Sequence, residues 1–244
     1  MTRVLRNGLL SGLVAGVSLA VYMLVFGRGP IRAALDYEDE LADSAGDGAA
    51  HDELFSRGVQ ELGGAIGLLI FGVALGLIFA VVLAAVAPRM GPVTPLRASL
   101  QLGLVGFIVV VIVPFLKYPA NPPAVGDPDT INERTLAYFS VLAASIVLAN
   151  VVWRVVEASR RSPVGRAWLG AGLYAGGLVI IFVVFPAPAD AVTAPTDLVW
   201  DFRLASLGGL ATAWAALSLT MGTLLTRQVE RDSGRRPVSV ESSP

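Results

Sequence analysis

Two carboxylates separated by a proline, Asp127 and Asp129, close the segment YPANPPAVGDPDT at residues 118–130. Carboxylate oxygens, amide oxygens and imidazole nitrogens suit hard or borderline divalent cations. On that chemistry Asp127, Asp129, Asn121 and the chain's single histidine, His51, are the expected metal ligands. Prolines 119, 122, 123 and 128 restrict the backbone around three of them. A restricted backbone loses less entropy when a ligand site orders. His51 stands apart, beside Asp52 and Glu53 and downstream of Asp36, Glu38, Asp39, Glu40, Asp43 and Asp47. So acidic a segment concentrates cations electrostatically. The plainer reading, acids that simply stay hydrated, applies most to this first segment.

Other chemistries lack their residues. With no cysteine there are no disulfides, thiolate metal sites or cysteine nucleophiles. There is no GxSxG elbow, no HExxH, no pair of carboxylates inside an apolar stretch and no Walker-type phosphate loop. The chain reads as a non-enzyme that does not hydrolyse ATP itself and holds no permanent cofactor. Nucleic acid is not an expected partner, because the arginine distribution has another explanation.

The elements that must position these residues are apolar. Hydrophobic residues make up 55% of the chain and charged residues 15%, in separate bunches. A bilayer core about 30 Å thick needs roughly 20 apolar residues to cross. Six windows fit, at residues 8–26, 62–87, 98–116, 136–153, 167–185 and 204–225. They are apolar on every face, which fits helices and not barrel strands. The expected fold is therefore all-α, a polytopic membrane bundle of about six transmembrane helices. Residues 1–227 form its membrane domain, and a polar, disordered cytoplasmic tail runs over residues 228–244. Arg3 and Arg6 before the first run resemble a signal peptide, but the run is long and lacks a small-residue cleavage site, so it reads as a retained span.

Arginine counting gives orientation. Twelve of the 18 Lys and Arg residues fall on the N-terminus, the second and fourth loops and the tail, against six on the other three loops. Basic residues accumulate on the cytoplasmic side. Both termini are thus expected in the cytoplasm of a cell inner or plasma membrane protein. Fifteen of the 19 acids lie on the outer side or at the helix ends there. Membrane lipid is the expected solvent partner.

Glycines at four-residue spacing mark close helix packing: Gly8, Gly12 and Gly16, Gly63/Gly67, Gly72/Gly76 and Gly172/Gly176. Pro114 is expected to kink or end the third helix near its outer end. The three outer hairpins also look alike, a candidate threefold repeat. Each brings acids and then an arginine, so Arg57, Arg134 and Arg203 occupy equivalent places. An arginine at a helix N-terminus opposes the helix dipole. We therefore expect ion pairs at the outer mouth among Arg57, Arg134, Arg203, Lys117, Glu133, Asp197 and Asp201. The alternative is three arginines that each reach the interface separately.

The run PFLKYPANPPAVGDPDTINERT at residues 114–135, with LFSRGVQ at 54–60 and DLVWDFRLASLG at 197–208, resembles the CbtA family of predicted cobalt transporter membrane subunits. With the helix plan, the resemblance covers nearly the whole chain except the tail. It implies a role in cobalt uptake, with Co2+ as the substrate. It also implies a CbtB-like partner, a small membrane subunit with one span and a histidine-rich end. The other reading is a non-catalytic scaffold that assembles another membrane transporter. Few polar groups lie within the spans, and that scarcity leans toward the scaffold. They are mainly serines, such as Ser11, Ser99, Ser145 and Ser218.

Overall fold

The computed structural model describes residues 2–44, 57–122, 125, 130–185 and 194–234. Among these residues the chain is helical with no strands. Six helices are long and apolar enough to cross a membrane.

The first span begins as α1, Thr2–Tyr22, passes through a π-helical turn at Met23–Gly27 and continues as α2, Arg28–Ser44. The helix α3 covers Arg57–Val86. A short 3-10 turn at Ala87–Arg89 and Gly91, whose φ of 77° suits only glycine, reverse the chain. The third span is α4, Pro95–Phe107, then a second π-helical turn at Ile108–Ile112, then α5, Val113–Lys117. The remaining helices are α6, Ile131–Ala158, α7, Pro163–Val184, and α8, Thr196–Gly234. Local chemistry sets several ends. Ser162 caps α7 by accepting from the Gly165 N–H at 3.2 Å, with Pro163 in the first helical position. A proline follows each π-helical turn, Pro30 after the first and Pro114 after the second. A proline ring crowds the carbonyl four residues back, and one wider turn relieves it.

Two compact units divide the chain. The first holds residues 1–25, 51–104 and 209–244. Its centre is backbone packed on backbone. Gly8, Gly12 and Gly16 of α1 lie against Gly72, Gly76 and Leu69 of α3. A methyl group added at Gly12 would sit 2.5 Å from the Gly72 carbonyl oxygen. Gly103 of α4 faces the Ser218 side chain of α8, Gly222 of α8 faces Leu96 and Ser99 of α4, and Ser99 Oγ donates to the Ser218 carbonyl at 2.7 Å. Phe79 and Trp214 fill the wider space, edge to face at 6.2 Å. The other expected glycine pairs make no close contact among the described residues. Gly63, Gly67, Gly172 and Gly176 have no neighbour within 4 Å of where a methyl group would stand.

The second unit holds residues 26–50 and 105–208. Val113, Val141 and Ile181 form its main core, with Ala144, Leu148, Tyr174 and Phe182 packed around it. A smaller core joins Val125, Ala194 and Val199 with Tyr37 and Leu198. Most of α7 is exposed, Trp168 at 76% and Val183 at 79%, as suits a helix whose apolar faces meet lipid.

Three expectations change. Residues 228–234 are helical rather than part of a disordered tail, because α8 runs on to Gly234 and is tied to α1 there. Helix continues past the first apolar window, to Ser44. The candidate repeat is not confirmed by the described helices. The first and third spans carry π-helical turns while α7 does not, and Arg134 lies one turn into α6 whereas Arg203 lies two turns into α8.

Candidate functional site

A proline-rich loop has few N–H donors and an excess of carbonyl acceptors. The loop that leaves α5 shows how that excess is met. Arg203 of α8 donates from Nε to the Ala120 carbonyl at 3.1 Å and from Nη2 to Asn121 Oδ1 at 2.9 Å. A guanidinium carries five donors in a rigid fork, so one side chain can hold two acceptors of a donor-poor loop. Its carbon lies 5.6 Å from the centre of the Trp200 ring, which adds a cation–π contact on the exposed side. Four residues beyond Asn121, Val125 is buried against Ala194 and Val199. The loop is thus pinned at residues 120–121 and again at 125, immediately before the two aspartates in sequence.

Lys117 is used differently. Its Nζ donates to the Phe182 carbonyl at 3.0 Å and lies 5.8 Å from the centre of that residue's ring. Phe182 is in the last turn of α7, where carbonyls lack intrahelical donors and the dipole is negative. The lysine closes that helix end. Between these two anchors, burial raises the pKa of the Tyr118 phenol above its ordinary value.

The oxygens that hold Arg203 and Lys117 are therefore carbonyl and amide oxygens, not the carboxylates expected. Asp197, Asp201 and Glu133 are exposed, and Arg134 is half-buried in the first turns of α6. Asn121, expected as an amide ligand for a metal, spends Oδ1 on a guanidinium. A cation on that oxygen would stand a few ångströms from a full positive charge, so Asn121 reads as a positioning residue. Asp127, Asp129 and His51 lie outside the described residues, as does the side chain of Arg57. Among the described residues, no three His, Cys, Asp or Glu side chains come together.

A second polar cluster, inside the helices, had only the serine itself as a signal. Ser145 Oγ of α6 donates to the Val109 carbonyl at 2.9 Å and lies 2.7 Å from the Tyr174 hydroxyl of α7. With the serine proton given to Val109, Tyr174 must be the donor in the second bond.

At the end of the first unit that carries both helix termini, Arg3 pairs with Asp232 at 3.2 Å. One turn deeper, Asn7 Nδ2 donates to Gln228 Oε1 at 3.2 Å. The N-terminal end of α1 and the C-terminal end of α8 therefore lie on the same side, as an even number of spans requires.

Residues 1–226 match a family model described as "Probable cobalt transporter subunit (CbtA)". No curated protein and no solved structure matches the chain.

Proposed function

The chain belongs to the CbtA family of probable cobalt transporter subunits, and from that premise we propose that it is the membrane subunit of a cobalt uptake system working with a small, single-span, histidine-rich partner. It is a multi-pass membrane protein. In this reading it lies in the cell membrane with both termini in the cytoplasm and takes Co2+ at its outer mouth. Asp127 and Asp129 carry the ion, with His51 as a secondary ligand and Asn121 as the loop's anchor. The supporting observation is the pinning of the loop before those aspartates, by the Arg203 fork and by Val125. Fixed flanks reduce the ordering that binding would otherwise demand. No group is placed for covalent catalysis in this scheme, and the ion is cargo.

One observation favours the scaffold reading. The serines of the spans, Ser11, Ser99, Ser145 and Ser218, are buried in packed helices and bonded to helix carbonyls, so they do not line an open polar path. Radiolabelled cobalt uptake in cells lacking other cobalt importers, with and without the small partner, separates the two. Uptake above background requires the transport reading. No uptake even with the partner present supports the scaffold.

A further inference from the structure

The arginine-rich end of the first unit holds a cleft of about 470 Å³ between α1 and α8. Its walls are layered. Arg3 and Arg6 from α1 and Arg227 and Arg231 from α8 stand around it with Asp232. Asn7 and Gln228 lie a turn deeper than Arg3 and Asp232, level with Arg6 and Arg227, and are joined by their hydrogen bond. Leu10 and Leu224 follow another turn toward the middle of the helices. The order follows from antiparallel helices that each repeat a polar face every three or four residues. Arg3 is matched by Asp232, and the other three guanidiniums give the cleft a net charge of +3. Gln228 gives its oxygen to Asn7, so its N–H groups are what it offers the cleft. The polar lining is therefore rich in donors, with the Asp232 carboxylate and the Asn7 amide oxygen as its acceptors. Guanidinium forks fit phosphate oxygens bidentately.

A second cleft of about 270 Å³ adjoins the first and shares Gln228 and Asp232 as walls. It is otherwise apolar, lined among others by Leu83, Val93, Pro95, Leu225 and Val229. A phosphate site with leucines beneath it and an apolar cleft beside it matches an amphiphile better than a soluble anion.

We propose that this cleft is a binding site for an anionic phospholipid, whose phosphodiester lies among Arg6, Arg227 and Arg231 and whose acyl chains run along the neighbouring apolar surface. A basic cleft between spanning helices at the membrane face is the setting in which acidic headgroups bind. The site is independent of cobalt: its charge repels a divalent cation, and the lipid holds the first and last helices together.

The test is native mass spectrometry of the full chain, delipidated in detergent and offered phosphatidylglycerol and phosphatidylcholine in equal amounts. Phosphatidylglycerol should be retained about tenfold better, and Arg6→Gln with Arg227→Gln and Arg231→Gln should abolish the preference. Arg89→Gln with Arg97→Gln and Arg160→Gln removes the same charge elsewhere and should leave it intact. If the first triple variant does not accumulate, Arg231→Gln alone should lower the preference about threefold. Equal retention of the two lipids overturns the proposal. So does an equal loss in the charge-matched control, which would mean a general basic belt. Displacement of the lipid by glycerol 3-phosphate would assign the cleft to a soluble phosphate instead.

Discussion

Ser145 Oγ reaches the Val109 carbonyl across 2.9 Å, at a place where the third span has no donor of its own to give. In the π-helical turn the Val113 N–H bonds to the Ile108 carbonyl, five residues back. The next donor in that register would be the N–H of residue 114, and Pro114 has none. An orphaned carbonyl in hydrocarbon is costly, and the serine from α6 satisfies it. Ser145→Ala should therefore destabilise the protein by about 1 kcal/mol or somewhat more in detergent unfolding. In a Pro114→Ala background, which restores the backbone donor, the same substitution should have a smaller effect. An undiminished effect there would refute the link between proline and serine.

The glycines divide into two groups by what faces them. Gly12→Ala and Gly72→Ala force a methyl group against main-chain atoms 2.5 Å away, which only movement of a whole helix relieves. Each should lower stability by about 1–3 kcal/mol. Gly67→Ala and Gly172→Ala meet open space and should be neutral or slightly stabilising, since alanine favours helix. Thermal melting in detergent reads all four, and a loss as large at Gly67 as at Gly12 would contradict the packing.

Arg203 holds two acceptors with one fork. Arg203→Ala should cost about 2–3 kcal/mol and open the 118–122 loop to protease. Arg203→Lys keeps the charge but not the fork and should fall between wild type and alanine. Asn121→Ala should add little on top of Arg203→Ala, because the two act through one bond. Folded yield should drop more for Arg203→Ala and Arg134→Ala than for Arg32→Ala, whose side chain is exposed on α2.

The proposed cation site has its own test. Asp127→Asn with Asp129→Asn should lower cobalt uptake at least about tenfold with protein level unchanged, the loss expected when both charged ligands go. His51→Ala should have a smaller effect, because one imidazole far along the chain from the aspartates is a weak ligand by itself. Normal uptake in the double variant would reject this loop as the site.

Sidedness is checked by labelling. The chain has no cysteine, so one placed at Gly46 is a clean reporter. It should react with a membrane-impermeant reagent from outside, while tags at both ends are protected in intact cells. The Arg3–Asp232 pair already requires the two ends to share a side. Opposite accessibility of the two tags would be incompatible with the structure.

The number and type of spans were legible in the sequence because a bilayer imposes a length and satisfies no backbone group. Long all-apolar runs such as 62–87 and 167–185 leave little choice but helix. The Gly8, Gly12 and Gly16 stripe was legible for the same reason: only glycine lets two backbones touch. Which glycines of α3 it would meet was not, since Gly63/Gly67 and Gly72/Gly76 have the same spacing and only the relative shift of α1 and α3 chooses between them. The arginine of the third hairpin was visible as an oddity, and its loop as one short of donors. Its partners were not. Opposite charge along the sequence pointed to Asp197 and Asp201, whereas the folded chain brings Ala120 and Asn121 to the fork and leaves both acids to water. Partner choice of this kind rests on distances of about 3 Å between residues more than 80 positions apart. Composition and periodicity carry no record of such distances, and the packing of helices sets them.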